Sequence, residues 1–232
     1  MTYRAVFFDA GETLVHPHPT FPELFVQVLA REGFAVTPQA VRAADLLIAD
    51  RFRTAAASND LWTTSPERSR TFWHAVYDDF LGRLGVPSGN GLHDTLYREF
   101  TDLANYALFD DVLPTLRVLA ETDLRLGVIS NFEEWLALLL DELKIAPYFE
   151  IQVISGVEGI EKPDPAIFRL ALDRTGVDPA EAAYVGDNPH FDTVPASDLG
   201  MLPVLIDRRV RFPDEPHRID SLTELPPLLG VG

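Results

Sequence analysis

The chain has 232 residues, 47% of them hydrophobic, which suffices to bury a core in one large or two modest domains and excludes wholesale disorder. Its formal charge of −17 repels polyanions, so neither nucleic acid nor an anionic membrane surface is an expected partner, and a phosphorylated ligand needs local cations to overturn the sign. The lack of cysteine excludes disulfides, thiolate metal sites and cysteine nucleophiles, while the absence of a membrane-length apolar run or a signal-peptide core makes a cytoplasmic location the default.

The first apolar run, Ala5 to Phe8, is uninterrupted and ends at Asp9, as a strand buried on both faces of a parallel sheet does. From about His16 to Tyr106 the strand signal nearly vanishes and helical periodicity takes over. Helices are predicted over Phe21 to Arg31, Pro38 to Ala57, Pro66 to Leu84 and Leu92 to Tyr106, with Pro87-Ser88-Gly89-Asn90-Gly91 looping between the last two. Trp62, Phe72, Trp73 and Tyr77 read as packing residues of this block, and Arg51 and Arg53 as solvated helix charges.

Strand runs return at Leu126 to Ser130, Ile151 to Ser155, Ala182 to Gly186 and Leu202 to Asp207, with helical patterns at Glu133 to Lys144 and Pro165 to Thr175. Such alternation builds an α/β fold around a right-handed, Rossmann-like parallel sheet. The helical block predicts an inserted all-helical domain over residues 16–107, with crossings near His16 and Phe109, leaving 1–15 and 108–232 as the α/β core.

Ligands of an open parallel sheet bind at the carboxyl ends of its strands. There the chain places Asp9-Ala10-Gly11-Glu12-Thr13, then Ser130-Asn131, then Gly186-Asp187 with Asp192 close behind; the loop Gly159 to Pro165 adds Lys162. Asp187 and Asp192 would lie beside Asp9, and three close carboxylates repel one another unless a cation neutralises them. A hard dication such as magnesium suits this oxygen-rich set, with Asp9, the Gly11 carbonyl and Asp187 as ligands and Asp192 direct or one water away. Asp192 also suits the cap of the helix that follows. Lys162 is one of only two lysines among 19 basic residues, and Asp164-Pro165 starts a helix just beyond it.

Each station is commonplace alone, but the four in this order resemble the haloacid dehalogenase superfamily along nearly the whole chain, in the form whose helical cap follows the first motif. The resemblance implies a phosphatase of small phosphorylated metabolites in which Asp9 attacks phosphorus and forms an aspartyl phosphate. Ser130 and Asn131 would donate hydrogen bonds to the phosphoryl group, Lys162 would balance its charge, and Mg2+ would be the cofactor. One position departs from the pattern. Phosphatases of this family usually carry a second aspartate two residues after the nucleophile, where it protonates the leaving alcohol; here that residue is Gly11. Glu12, His16 or His18 as substitute acids, a good leaving group, and a different reaction remain the alternatives.

Two rival readings follow. A 2-haloacid dehalogenase uses the same aspartate on carbon without metal and also lacks the second aspartate; Arg31 or Arg42 would then hold the substrate carboxylate, but Asp187 and Asp192 would have no use. The other rival is a catalytically weak phosphate-binding or regulatory module, which Gly11 favours and Asp9, Lys162 and Asp187 oppose. A phosphonatase is excluded because no lysine precedes Lys144. Oligomeric state leaves no trace in the sequence.

Overall fold

The structure is a computed structural model and describes residues 3–44, 51, 54–55, 61–89 and 91–231. It divides into two compact units, Met1–His16 with Leu108–Gly232, and Pro17–Ala107. The strands in chain order are β1 (Ala5–Phe8), β2 (Val15–Pro17), β3 (Tyr106–Leu108), β4 (Arg125–Ser130), β5 (Ile151–Ile154), β6 (Ala182–Gly186), β7 (Leu202–Ile206) and β8 (Arg218–Ile219). Six of them form a parallel sheet in the order β5-β4-β1-β6-β7-β8. The chain passes between the units at β2 and β3, which pair as a separate two-stranded sheet.

All four residues of β1 are buried, as their unbroken apolar run requires. Phe7, Ile129, Val153 and Tyr184 share a core with Ile167, Phe168, Ala171 and Leu172 of the helix Pro165–Thr175. Each fully buried side chain of this size contributes about 1.5–3 kcal/mol. That helix begins where the sequence says it should: the Asp164 carboxylate accepts from Ala166 N–H at 2.8 Å, Pro165 opens the first turn, and Gly176 ends it at φ 61°. Because β1 lies between β4 and β6, its carboxyl end opens at the point where the strand order reverses, so Asp9, Ser130 and the Gly186-Asp187 turn emerge side by side.

Some predicted bounds shift, for local reasons. The helix expected over Glu133 to Lys144 spans only Leu136–Glu142, because the preceding loop is tied elsewhere: Phe132 N–H donates to Ser155 Oγ at 2.9 Å, and Gly156 N–H to Phe132 O at 2.9 Å. The helix expected over Leu92 to Tyr106 stops at Phe100. There the Thr101 hydroxyl bonds back to Tyr97 O at 2.9 Å and Asp102 caps a short 3-10 turn, after which Tyr106 already belongs to β3. The helix Val112–Ala120 and the edge strand β8 have no counterpart among the predicted elements.

Within the Pro17–Ala107 unit, Phe21–Arg31, Pro38–Arg42, Pro66–Arg83 and Leu92–Phe100 are helical. The remainder of the helix expected up to Ala57 falls largely outside the described residues, as do Arg53 and Asn90. Phe25, Tyr77, Phe80, Leu96 and Phe100 form this unit's core, with Phe72 and Trp73 packed against it, and Trp62 stacks on Phe72 at 5.2 Å, so the aromatic residues do serve packing. Arg51 pairs with Asp79 at 2.7 Å and Arg31 with Glu99 at 2.7 Å. Among the described residues, no helix is long and apolar enough to cross a membrane.

Candidate active site

Asp9 is the first residue beyond β1, and its N–H donates to Val185 O at 2.8 Å, which extends the ladder to β6 by one bond. Its carboxylate thereby stands at the sheet rim, where Ser130 Oγ, the last residue of β4, donates to Oδ1 at 2.9 Å. Lys162 Nζ places its three donors on Asp9 Oδ1 at 2.8 Å, Asp192 Oδ1 at 2.6 Å and the Tyr184 hydroxyl at 2.9 Å. Lys162 is 2% exposed, and burial alone would lower its pKa, but the Asp192 and Asp9 carboxylates outweigh burial and push it up to about 12. The ammonium is therefore a fixed positive charge.

The carboxylates are less comfortable. Burial raises the pKa of Asp9; Lys162 pulls it back, Asp192 adds to the rise, and the net direction is upward. Asp187 is pushed up to about 7 by burial and by Asp192 and Asp9, against the opposing pull of Arg211, whose Nη2 donates to Asp187 Oδ2 at 2.9 Å. Each of Asp9, Asp187 and Asp192 offers an oxygen within 4.8 Å of the others. Two side-chain cations thus leave three crowded carboxylates undercompensated, and an all-oxygen donor set of this kind fits a hard divalent cation.

The structure brings Asp9, Ser130, Lys162, Asp187 and Asp192 together. Asp192 also closes its own turn, since Oδ2 accepts from Asn188 N–H at 2.9 Å. Its side chain crosses so near the end of β6 that a Cβ on Gly186 would fall 2.3 Å from the Asp192 carboxyl carbon, which is why residue 186 must be glycine. The Asn131 side chain is engaged differently from the expectation: Nδ2 donates to Lys162 O at 2.8 Å and Oδ1 accepts from Lys162 N–H at 2.6 Å, so this amide positions the lysine. Gly11 follows on the turn after Asp9, and a Cβ there would meet only Phe132, at 3.8 Å. Of the substitute acids, Glu12 is paired with Arg209 at 2.7 Å, and the His16 ring lies 4.4 Å from that of Phe109. His18 belongs to the Pro17–Ala107 unit, where its N–H donates to Asn105 O at 2.8 Å.

Two site residues escape sequence reasoning. Tyr184 sits in mid-strand and reads as core, and nothing in its spacing shows that its hydroxyl reaches Lys162 and Ile129 O, the latter at 2.9 Å. Arg211 did leave a signal, since Arg208, Arg209 and Arg211 follow the carboxyl end of β7 in a chain of net charge −17.

The raised Asp187 carries a prediction. Between its ordinary value of 3.8 and about 7, the folded chain holds a proton that the unfolded chain releases, so metal-free stability falls as pH rises through that window and levels off above it. A divalent cation competes with that proton. Thermal unfolding with excess magnesium and with a chelator, from about pH 5 to about pH 8, is expected to show a Tm gap that widens with pH; a gap that stays constant contradicts this reading of Asp187.

The family model for haloacid dehalogenase-like hydrolases matches residues 3–200. The chain is 30% identical to haloacid dehalogenase-like hydrolase domain-containing protein 3 of Mus musculus over 244 residues, which cover 98% of this chain and 94% of that protein. It is 38% identical to the glyceraldehyde 3-phosphate phosphatase of Methanopyrus kandleri over 128 residues, covering 53% and 54%. In fold it is similar to the magnesium-bound HAD-hydrolase YfnB from Bacillus subtilis (TM-score 0.81, 16% identity, all of both chains covered). A similar likeness links it to the L-2-haloacid dehalogenase RSc1362 (TM-score 0.76, 24% identity, all of both chains covered).

Proposed function

The chain belongs to the haloacid dehalogenase-like hydrolase family, and from that premise we propose that it is a magnesium-dependent phosphatase of a small phosphorylated metabolite, working through an aspartyl phosphate on Asp9. The observation that carries this reading is the convergence of Asp9, Asp187 and Asp192 on one point beside the buried Lys162. Asp9, the Gly11 carbonyl and Asp187 would hold the metal, with Asp192, whose oxygens already bond Lys162 and Asn188, one water away. When bound, magnesium polarises a phosphoryl oxygen and screens the carboxylates.

The chain's own residues do the rest. Ser130 and Lys162 both grip Oδ1 of Asp9, which fixes the plane of the nucleophile before substrate arrives. Asp9 attacks phosphorus as the bond to the leaving oxygen breaks, and that oxygen takes its proton from solvent. The Lys162 charge would offset that on the transferring group, and Ser130 and Asn131, engaged here with Asp9 and the Lys162 main chain, would turn hydrogen bonds to it once substrate binds. Water then attacks phosphorus, the aspartyl P–O bond breaks, and phosphate leaves with the protons of that water, restoring the Asp9 carboxylate. A relative named as a phosphatase supports this substrate class.

Gly11 limits the first step, because it offers no proton to the departing oxygen. A missing general acid costs about 10²–10⁴ in rate, and that cost falls on poor leaving groups. Aryl and acyl phosphates are therefore expected to turn over far faster than alkyl phosphates, a ratio read from kcat/KM across a substrate panel with and without magnesium. Phosphate release that needs the metal supports the proposal; halide release from 2-haloacids without metal would establish the dehalogenase instead. Arg31, one carboxylate-binding candidate of the dehalogenase reading, pairs with Glu99 at 2.7 Å in this structure.

A further inference from the structure

In the Pro17–Ala107 unit, the helix Pro66–Arg83 carries His74 and Asp78 one turn apart, and the first turn of the helix Leu92–Phe100 carries His93 and Asp94. The two imidazoles lie 4.3 Å apart between centroids, inclined at 31°. His74 Nε2 is 3.3 Å from Asp94 Oδ1, and His93 Nε2 is 3.6 Å from Asp94 Oδ2. His93 Nδ1 lies 3.1 Å from Asp78 Oδ1. Although His74 Nε2 is shielded from solvent, no hydrogen bond satisfies it among the described residues.

We propose that His74, His93 and Asp94 form a second metal site, suited to a borderline divalent cation of the zinc class. Three observations carry the proposal. The two ring nitrogens approach the Asp94 carboxylate to 3.3 Å (His74, at Oδ1) and 3.6 Å (His93, at Oδ2), near the separation of about 3.3–3.4 Å between ligand atoms of a tetrahedral site with bonds of about 2.0–2.1 Å. One ligand atom from each of the three residues falls within 4.8 Å of the other two, so a single ion reaches all three with small side-chain adjustments.

Asp78 supplies the second observation. Asp78 Oδ1, 3.1 Å from His93 Nδ1, is placed to accept a proton there, which would leave Nε2 as the ligand atom on the Asp94 side; a carboxylate partner of this kind orients and strengthens an imidazole ligand. The third is chemical: two nitrogens and one carboxylate form a softer set than the all-oxygen cluster at Asp9, so this site selects zinc, cobalt or nickel over magnesium. Three protein ligands leave the fourth position to water. A bound ion would cross-link the two helices above the core of Tyr77, Phe80 and Leu96.

Cobalt titration of the whole chain, in magnesium excess so that the oxygen-rich cluster is saturated, tests the site. One equivalent is expected to give the intense visible absorption of four-coordinate, nitrogen-ligated cobalt, and zinc is expected to abolish it by displacement. His74→Gln and His93→Gln should each weaken binding about tenfold or more, and Asp78→Asn by about 10–100-fold without loss of the band. Ring-nitrogen NMR of the wild-type chain requires no variant: zinc should shift Nε2 of two of the six histidines and leave the other four in place. Absence of the band, a band indifferent to both histidine substitutions, or histidine signals unmoved by zinc overturns the proposal.

Discussion

Asp9→Asn is expected to reduce turnover of every phosphate ester by a factor of about 10⁴ or more, because an amide cannot attack phosphorus and the remaining groups have nothing to position. The substitution is nearly isosteric, and Ser130 Oγ keeps an acceptor at 2.9 Å, so the fold should survive. What the variant loses besides the nucleophile is one of the two carboxylates that hold the Lys162 ammonium; Asp192, at 2.6 Å, keeps the other contact. Activity and stability therefore separate: steady-state kinetics should show near-complete loss, while thermal unfolding in the presence of a chelator remains a single cooperative transition of a folded chain. Activity within tenfold of wild type would remove Asp9 from the nucleophile's role.

The second large effect is a gain. Gly11→Asp is expected to raise kcat/KM on alkyl phosphates by about 10²–10⁴ and to change aryl phosphates little, since only poor leaving groups need the proton. The backbone accepts a side chain there: a Cβ at residue 11 meets nothing closer than Phe132 at 3.8 Å, an ordinary contact. In this structure Glu12 is paired with Arg209, the His16 ring packs on Phe109, and the main chain of His18 is tied to Asn105. Equal gains on both ester classes would mean that residue 11 acts by positioning rather than by proton transfer, and no gain would locate the acid elsewhere.

The sheet was readable because β1, the Leu126–Ile129 stretch of β4, and β6 are short apolar runs ending at turn signals, as strands covered on both faces are. Helix Pro165–Thr175 was readable to the residue because Asp164, Pro165 and Gly176 punctuate it chemically. Elements held by partners distant in the chain were not. The short strand β3 and the late start at Leu136 depend on pairing with β2 and on bonds from Ser155 and Gly156, which no local window contains.

The same division runs through the site. Asp9, Ser130, Lys162, Asp187 and Asp192 stood out because each lies at or near a strand end in a recognisable sequence. The Asn131 clasp on the Lys162 main chain and the Tyr184 hydroxyl beneath the ammonium did not, because they act through contacts 31 and 22 residues away along the chain. Those contacts also explain why an ammonium can sit there at all. Breaking a buried ion pair by removing one partner costs about 3–5 kcal/mol, so a group shared among Asp9, Asp192 and Tyr184 stays charged and in place.

The central claim is that Asp9 accepts the phosphoryl group, and trapping the intermediate tests it most directly. A radiolabelled aryl or acyl phosphate is mixed with enzyme and magnesium, quenched in acid within one turnover, and the peptides are mapped. Label on the peptide bearing Asp9, present with magnesium, absent with a chelator and absent in Asp9→Asn, is the predicted result. Phosphate release with no label at Asp9 at any quench time would contradict it.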